Sequence, residues 1–150
     1  MDNSINTHSL GRLSRLFSTL SAPSDKVRSG VWRGRFIGPW WLRGTAPTLV
    51  GLTGLPGWQG KRFLDPDRAA NIVVKRGATT EGPMMNWVRC VSTLDGKDGV
   101  GLRYVADAPM PWRWVTDELR AIDADTILGM TVLDVPGFRR IGFPFLLTRK

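Results

Sequence analysis

Two runs of strand-forming residues, 84–94 (MMNWVRCVSTL) and 99–106 (GVGLRYVA), are separated only by Asp95, Gly96, Lys97 and Asp98. A short Asp/Gly-rich link between two such runs is the local signature of a β-hairpin, so neighbours in sequence are expected to pair antiparallel. The rest of the chain has the same grain. Seven tryptophans stand against one tyrosine, among 17 glycines and 10 prolines. Large rigid side chains between frequent backbone breakers predict short strands, tight turns and an aromatic interior. With 150 residues there is room for one compact domain that buries roughly 70% of its unfolded surface, and not for two full-sized ones.

The other elements follow from periodicity. Residues 9–20 (SLGRLSRLFSTL) place Leu10, Leu13, Leu16, Phe17 and Leu20 at three- and four-residue steps, with Arg12 and Arg15 opposite. That pattern predicts an amphipathic helix leaning on the core; a membrane-surface role is the weaker alternative, because only two cations accompany it. His8 falls in a leader expected to be disordered, and residues 21–30 are turn-rich. In 31–37 (VWRGRFI), Trp32, Gly34 and Phe36 point one way and Val31, Arg33, Arg35 and Ile37 the other, a half-buried strand. Residues 45–57 are apolar but broken by Gly and Pro, and read as a short helix or a loop covering an opening.

Further strands are expected at 58–64, 70–76, 84–94, 99–106, 112–122, 126–134 and 141–149, with 112–122 open to a helical reading because DELR lies within it. The fold class is therefore mainly β: an antiparallel barrel of about eight strands over residues 30–150, preceded by a helix and linker over 1–29. A barrel of that size is just wide enough to fill with side chains or to hold one small ligand.

A tryptophan opening the first strand, flanked by glycines in G-V-W-R-G (30–34), can plug one end of such a barrel, and Arg149 or Arg140 can cover its ring. G-W-Q-G-K-R-F follows at 57–63, D-E-L-R-A-I-D-A-D-T-I-L-G-M at 117–130 and P-F-L-L-T-R at 144–149. Together these blocks resemble, over most of residues 30–149, the GxWxG-domain family of bacterial proteins, departing from its pattern at Gln59 and after Met130. That family is similar to the calycin group of lipocalin-like and fatty-acid-binding-like barrels. The resemblance implies a cup for a hydrophobic ligand.

If the barrel is hollow, the residues expected to line it are Phe36, Trp40, Trp41, Trp58, Phe63, Met85, Trp87, Tyr104, Trp112 and Trp114, more than one cavity can take. Lys61 shares a strand face with Phe63 and is the candidate partner for a carboxylate or phosphate head group. The plainer alternative is a solvated Lys61/Arg62 pair with the lysine stem on Phe63. Asp117 and Arg120 belong to the densest polar cluster in a strand-like run; they face opposite ways on a strand and are adjacent on a helix. A carboxylate beside an arginine suits proton transfer, and a structural ion pair explains the same residues.

These features support binding of a hydrophobic small molecule, with an anionic group as an option: a lipid, a fatty acid, or a polyketide- or terpenoid-like metabolite. The alternative is a small cofactor-independent biosynthetic enzyme, a cyclase, isomerase or hydrolase, with Asp117 and Arg120 as its catalytic pair. Nucleic-acid binding ranks third. The net charge is +8, and residues 1–89 supply it, with 13 Lys/Arg against 5 Asp/Glu. Arg28, Arg33, Arg35, Arg43, Lys61, Arg62, Lys75 and Arg76 interleave there with tryptophans, yet no RNP, KH or helix-turn-helix pattern accompanies them. An anionic membrane surface, touched peripherally, explains the same charge.

One cysteine and one histidine cannot complete a four-ligand zinc site, and Asp123, Asp125 and Asp134 read as turn formers. No phosphate loop or dinucleotide fingerprint is present, so no cofactor or metal is expected. Cys90 sits mid-strand with no histidine nearby in sequence. Without an apolar run of signal or membrane-span length, the expectation is a cytoplasmic protein.

Overall fold

The computed structural model describes residues 3–150. A 3₁₀ turn (Asn3–Thr7) and helix α1 (Leu10–Thr19) precede β1 (Gly30–Phe36). Helix α2 (Trp40–Leu52) leads to β2 (Trp58–Asp65), β3 (Arg68–Lys75), β4 (Ala78–Val91), β5 (Asp98–Tyr104), β6 (Val115–Asp123), β7 (Thr126–Leu133) and β8 (Gly142–Arg149). Each strand pairs antiparallel with the next, and β8 returns to β1, closing a barrel of eight.

Several boundaries move for physical reasons. Residues 1–2 of the leader lie outside the described residues, while the rest of it is ordered: Ile5 is buried beside α1, and the Asn6 carbonyl accepts from the Gly38 amide at 3.0 Å. The segment after β1 is helical from Trp40, and Pro47 lies inside that helix. Trp112–Trp114 form a 3₁₀ turn, so the sixth strand starts at Val115. β4 begins at Ala78, ahead of the apolar run that marks it in the sequence.

Apolar side chains form two layers. Outside the barrel, α1 lays Leu13 and Phe17 on Ile37, Leu128, Met130 and Leu146, so β7 and β8 are covered on both faces. Burial on both faces explains why TILGMTVL and GFPFLLTR read as nearly continuous apolar runs. The helix is started by Ser9, whose side chain accepts from the Arg12 amide at 3.2 Å.

Inside, one end is packed solid. Trp32, Phe63, Met85, Leu102, Leu119, Ile127 and Leu147 converge there, all but inaccessible to solvent. The Trp32 indole donates to the Ser29 carbonyl at 3.0 Å, and its ring lies 4.6 Å from the Arg149 guanidinium. Arg28 covers Trp87 in the same way, also at 4.6 Å. The segment between α1 and β1 thus crosses this end as a lid.

Candidate functional site

At the opposite end the barrel is hollow. A cavity of about 220 Å³ lies beneath α2, which contributes Leu42, Ala46, Leu49 and Val50 to its roof, with Leu55 just beyond the helix. Phe36, Trp58, Tyr104, Trp112, Phe143, Pro144 and Phe145 make the walls. Lys61, Asn71, Asp117 and Thr131 complete the lining.

Two wall glycines make this space. The Phe145 ring folds sideways over Gly129 on the neighbouring strand, where an added Cβ would meet ring carbons at 2.1–2.6 Å. Trp58 lies over Gly34 likewise, its far edge 2.3–2.8 Å from such a Cβ. Glycine thus lets two large rings lie along the wall instead of filling the axis.

A bulge sets the polar floor. Gly60, at φ 143°, passes so close to β1 that a Cβ would stand 2.0 Å from the Trp32 carbonyl oxygen. The register of β2 against β3 slips between Trp58 and Gly60. Strict alternation would put Trp58 and Lys61 on opposite faces; the extra residue brings both inside. Lys61 Nζ then sits 2.8 Å from Asp117 Oδ2, both side chains at most 5% exposed. It also donates to Asn71 Oδ1 at 2.8 Å and to Met85 Sδ at 3.3 Å. Thr131 donates to Asp117 Oδ1 at 2.8 Å, and Trp58 Nε1 to Asn71 Oδ1 at 3.2 Å. Asn71 Nδ2 donates to the Pro83 carbonyl at 3.3 Å and to the Tyr104 hydroxyl oxygen at 3.1 Å. Burial raises the Tyr104 pKa well above the usual phenol value, with the Asp117 charge a lesser cause, so the hydroxyl keeps its proton.

Against the sequence reading, Phe36, Trp58, Lys61, Tyr104, Trp112 and Asp117 border the cavity. Phe63, Met85 and Trp87 belong to the barrel's packed interior. Trp40, Trp41 and Trp114 are 78%, 47% and 51% exposed and stay outside it. The Asp117/Arg120 pair is not formed. β6 is a strand, so Arg120 points outward, where its guanidinium meets Asp95 at 2.6 and 3.0 Å and the Phe17 carbonyl at 2.7 Å. The basic and aromatic residues of the first half separate in the same manner: Arg33 and Arg35 face out while Trp32 and Trp58 face in, and Lys61 is buried. Asn71 and Thr131 escaped the sequence reading. The signal for Asn71 was a polar residue on the same face as Ala69 and Val73.

The mouth differs from the rest of the surface. Of the ten exposed large hydrophobics among the described residues, eight lie in the connections at this end: Trp40, Trp41, Leu49, Leu52, Met110, Trp114, Phe138 and Ile141. Those connections carry Arg43, Arg76, Arg113, Arg139 and Arg140 against Asp107 and Asp134. At the packed end the connections carry Lys26, Arg28 and Lys97 against Asp25, Asp67, Asp95 and Asp125.

The fold and cavity define a closed antiparallel barrel of eight strands, plugged at one end and hollow at the other. The chain is similar to a protein from Thermomonospora curvata seen in a crystal structure, with 21% identity and a TM-score of 0.72 over 98% of this chain and 91% of that one. At that identity the likeness shows the fold alone. No family model and no curated protein matches the sequence. Among the described residues no helix is long and apolar enough to cross a membrane.

Proposed function

We propose that the protein is a calycin-like barrel that binds a small apolar molecule in the half roofed by α2. The observation that carries this reading is the cavity: a space of about 220 Å³ under aromatic and aliphatic walls, held open by rings that lie on glycines. At about 30 Å³ per water-sized group it takes on the order of seven such groups. Apolar walls with a few convergent polar groups are the usual make-up of a small-molecule site. Arg33, Arg35 and Arg103 project from the outer strand faces into solvent. That is the reverse of a lipid-facing barrel, and it supports a protein working in water, with the cytoplasm as the reading we favour.

Native mass spectrometry of protein purified from its host tests this. A co-purifying molecule is expected, and it should be lost from Ala46→Phe, which fills the cavity from the roof. A ligand retained in that folded variant, or no mass beyond the chain itself, refutes the reading.

A further inference from the structure

We infer that the cavity selects a neutral ligand whose polar end is a carbonyl oxygen, and rejects carboxylates. This rests on the cavity being a ligand site. Lys61 and Asp117 are the charged residues of its lining, and they neutralise each other at 2.8 Å. All three Lys61 protons are engaged, by Asp117, Asn71 and Met85, so none is left for a head group. A bound carboxylate would place a second anion beside one cation in the barrel interior, where an unbalanced charge is strongly disfavoured. The other donors are spent as well: Thr131 on Asp117, Trp58 on Asn71, and Trp112 on the Thr53 carbonyl at 2.7 Å. Tyr104 is the exception. Its oxygen accepts from Asn71, but its own O–H has no acceptor among the described residues. A buried donor facing an apolar space is matched by an uncharged acceptor.

Calorimetric titration at pH 8 with 2-octanone, octanoate and toluene tests the inference in wild type and in Tyr104→Phe. Asn71 keeps the Pro83 carbonyl in that variant, so the fold should persist, as a thermal melt will show. The ketone should bind at least about tenfold more tightly than octanoate. Tyr104→Phe should weaken the ketone about five- to tenfold and leave toluene unchanged. Octanoate binding as tightly as the ketone, or a ketone indifferent to the hydroxyl, overturns the selectivity while the cavity stands. If none of the three probes binds, the cavity reading falls and takes this inference with it.

The geometry points to a second site, carried by different observations. We propose that the hollow end docks onto an anionic lipid bilayer. Exposed tryptophans and leucines of α2 cluster at the mouth with Trp114 and Phe138, and arginines outnumber acids around them. Tryptophan favours the boundary between head groups and acyl chains, while arginine is drawn to anionic head groups. The packed end has neither the apolar rim nor the positive excess, so docking is end-on and presents the cavity to the bilayer.

Flotation with phosphatidylcholine vesicles, with and without phosphatidylserine, decides it. Binding is expected to require phosphatidylserine and to drop about fivefold or more in the Trp40→Ala/Trp41→Ala double variant. Absent binding, equal binding to neutral vesicles, or binding indifferent to both tryptophans overturns the proposal. So does a rim covered by a second copy, seen as a dimer in sedimentation.

Discussion

The two halves of the barrel are built from the same strands yet solve opposite problems. Around Trp32, inward side chains such as Phe63, Leu119, Ile127 and Leu147 are packed together with almost no exposure. Around Trp58 and Phe145 the inward positions are just as aromatic, but Gly34 and Gly129 let the rings lie flat, and the axis stays empty. Ring size therefore does not decide whether a barrel of eight fills. What decides is the residue opposite each ring on the neighbouring strand.

The largest expected effect breaks the full half. Trp32→Ala removes a fully buried ring and its bond to Ser29, and should lower stability by about 3–5 kcal/mol in urea unfolding. Phe36→Ala, whose ring borders existing space, should lose about 1–2 kcal/mol less, because part of its surface has no packing partner to forfeit. Equal losses would mean that the two halves are packed alike.

A smaller effect sharpens the comparison. Gly129→Ala drives a Cβ into the Phe145 ring, which must swing toward the axis. The expected loss is about 1–3 kcal/mol, together with abolished ligand binding. Adding Phe145→Leu should recover most of the stability, since the smaller side chain clears the new methyl. A Gly129→Ala variant that binds normally would show that the glycine does not keep the cavity open.

Much of this was legible in the sequence. Alternation in VWRGRFI placed Trp32 and Phe36 inside, and the Asp/Gly link placed the β4–β5 hairpin, because both are local patterns. The floor was legible only in part. Lys61 could be assigned to the face of Phe63, but its partner Asp117 lies 56 positions away on β6, and nothing local announces that pairing. Trp58 joining Lys61 depends on the bulge at Gly60, which breaks the two-residue period on which strand reasoning rests. The exposure of Trp40 and Trp41 was hidden for the opposite reason. They were read by residue type, while a helix laid across the mouth turns their side chains outward.

The smallest expected effect concerns the outside of the packed half, where half-buried Asp95 in the 92–97 loop and buried Glu118 on β6 are the two carboxylates. Asp95 has its pKa lowered, chiefly by the hydrogen bonds from Arg120. It therefore contributes stability that is present above its unfolded value of 3.8 and lost as pH falls through the lower folded one. Glu118 has its pKa raised, chiefly by burial, although Ser92 Oγ and the Thr93 amide each donate to it at 3.1 Å. Its contribution has the opposite sign: fully present below the unfolded value of 4.5, and lost as pH rises through the folded one. In unfolding measured from pH 6 down to about 3, Asp95→Asn should flatten the acid loss by on the order of 1 kcal/mol, and Glu118→Gln should steepen it. Both carboxylates lie outside the barrel wall, so neither variant should change ligand affinity at neutral pH. A change there would mean that the packed half and the hollow half are coupled through β6, where Asp117 and Glu118 are adjacent and face opposite sides.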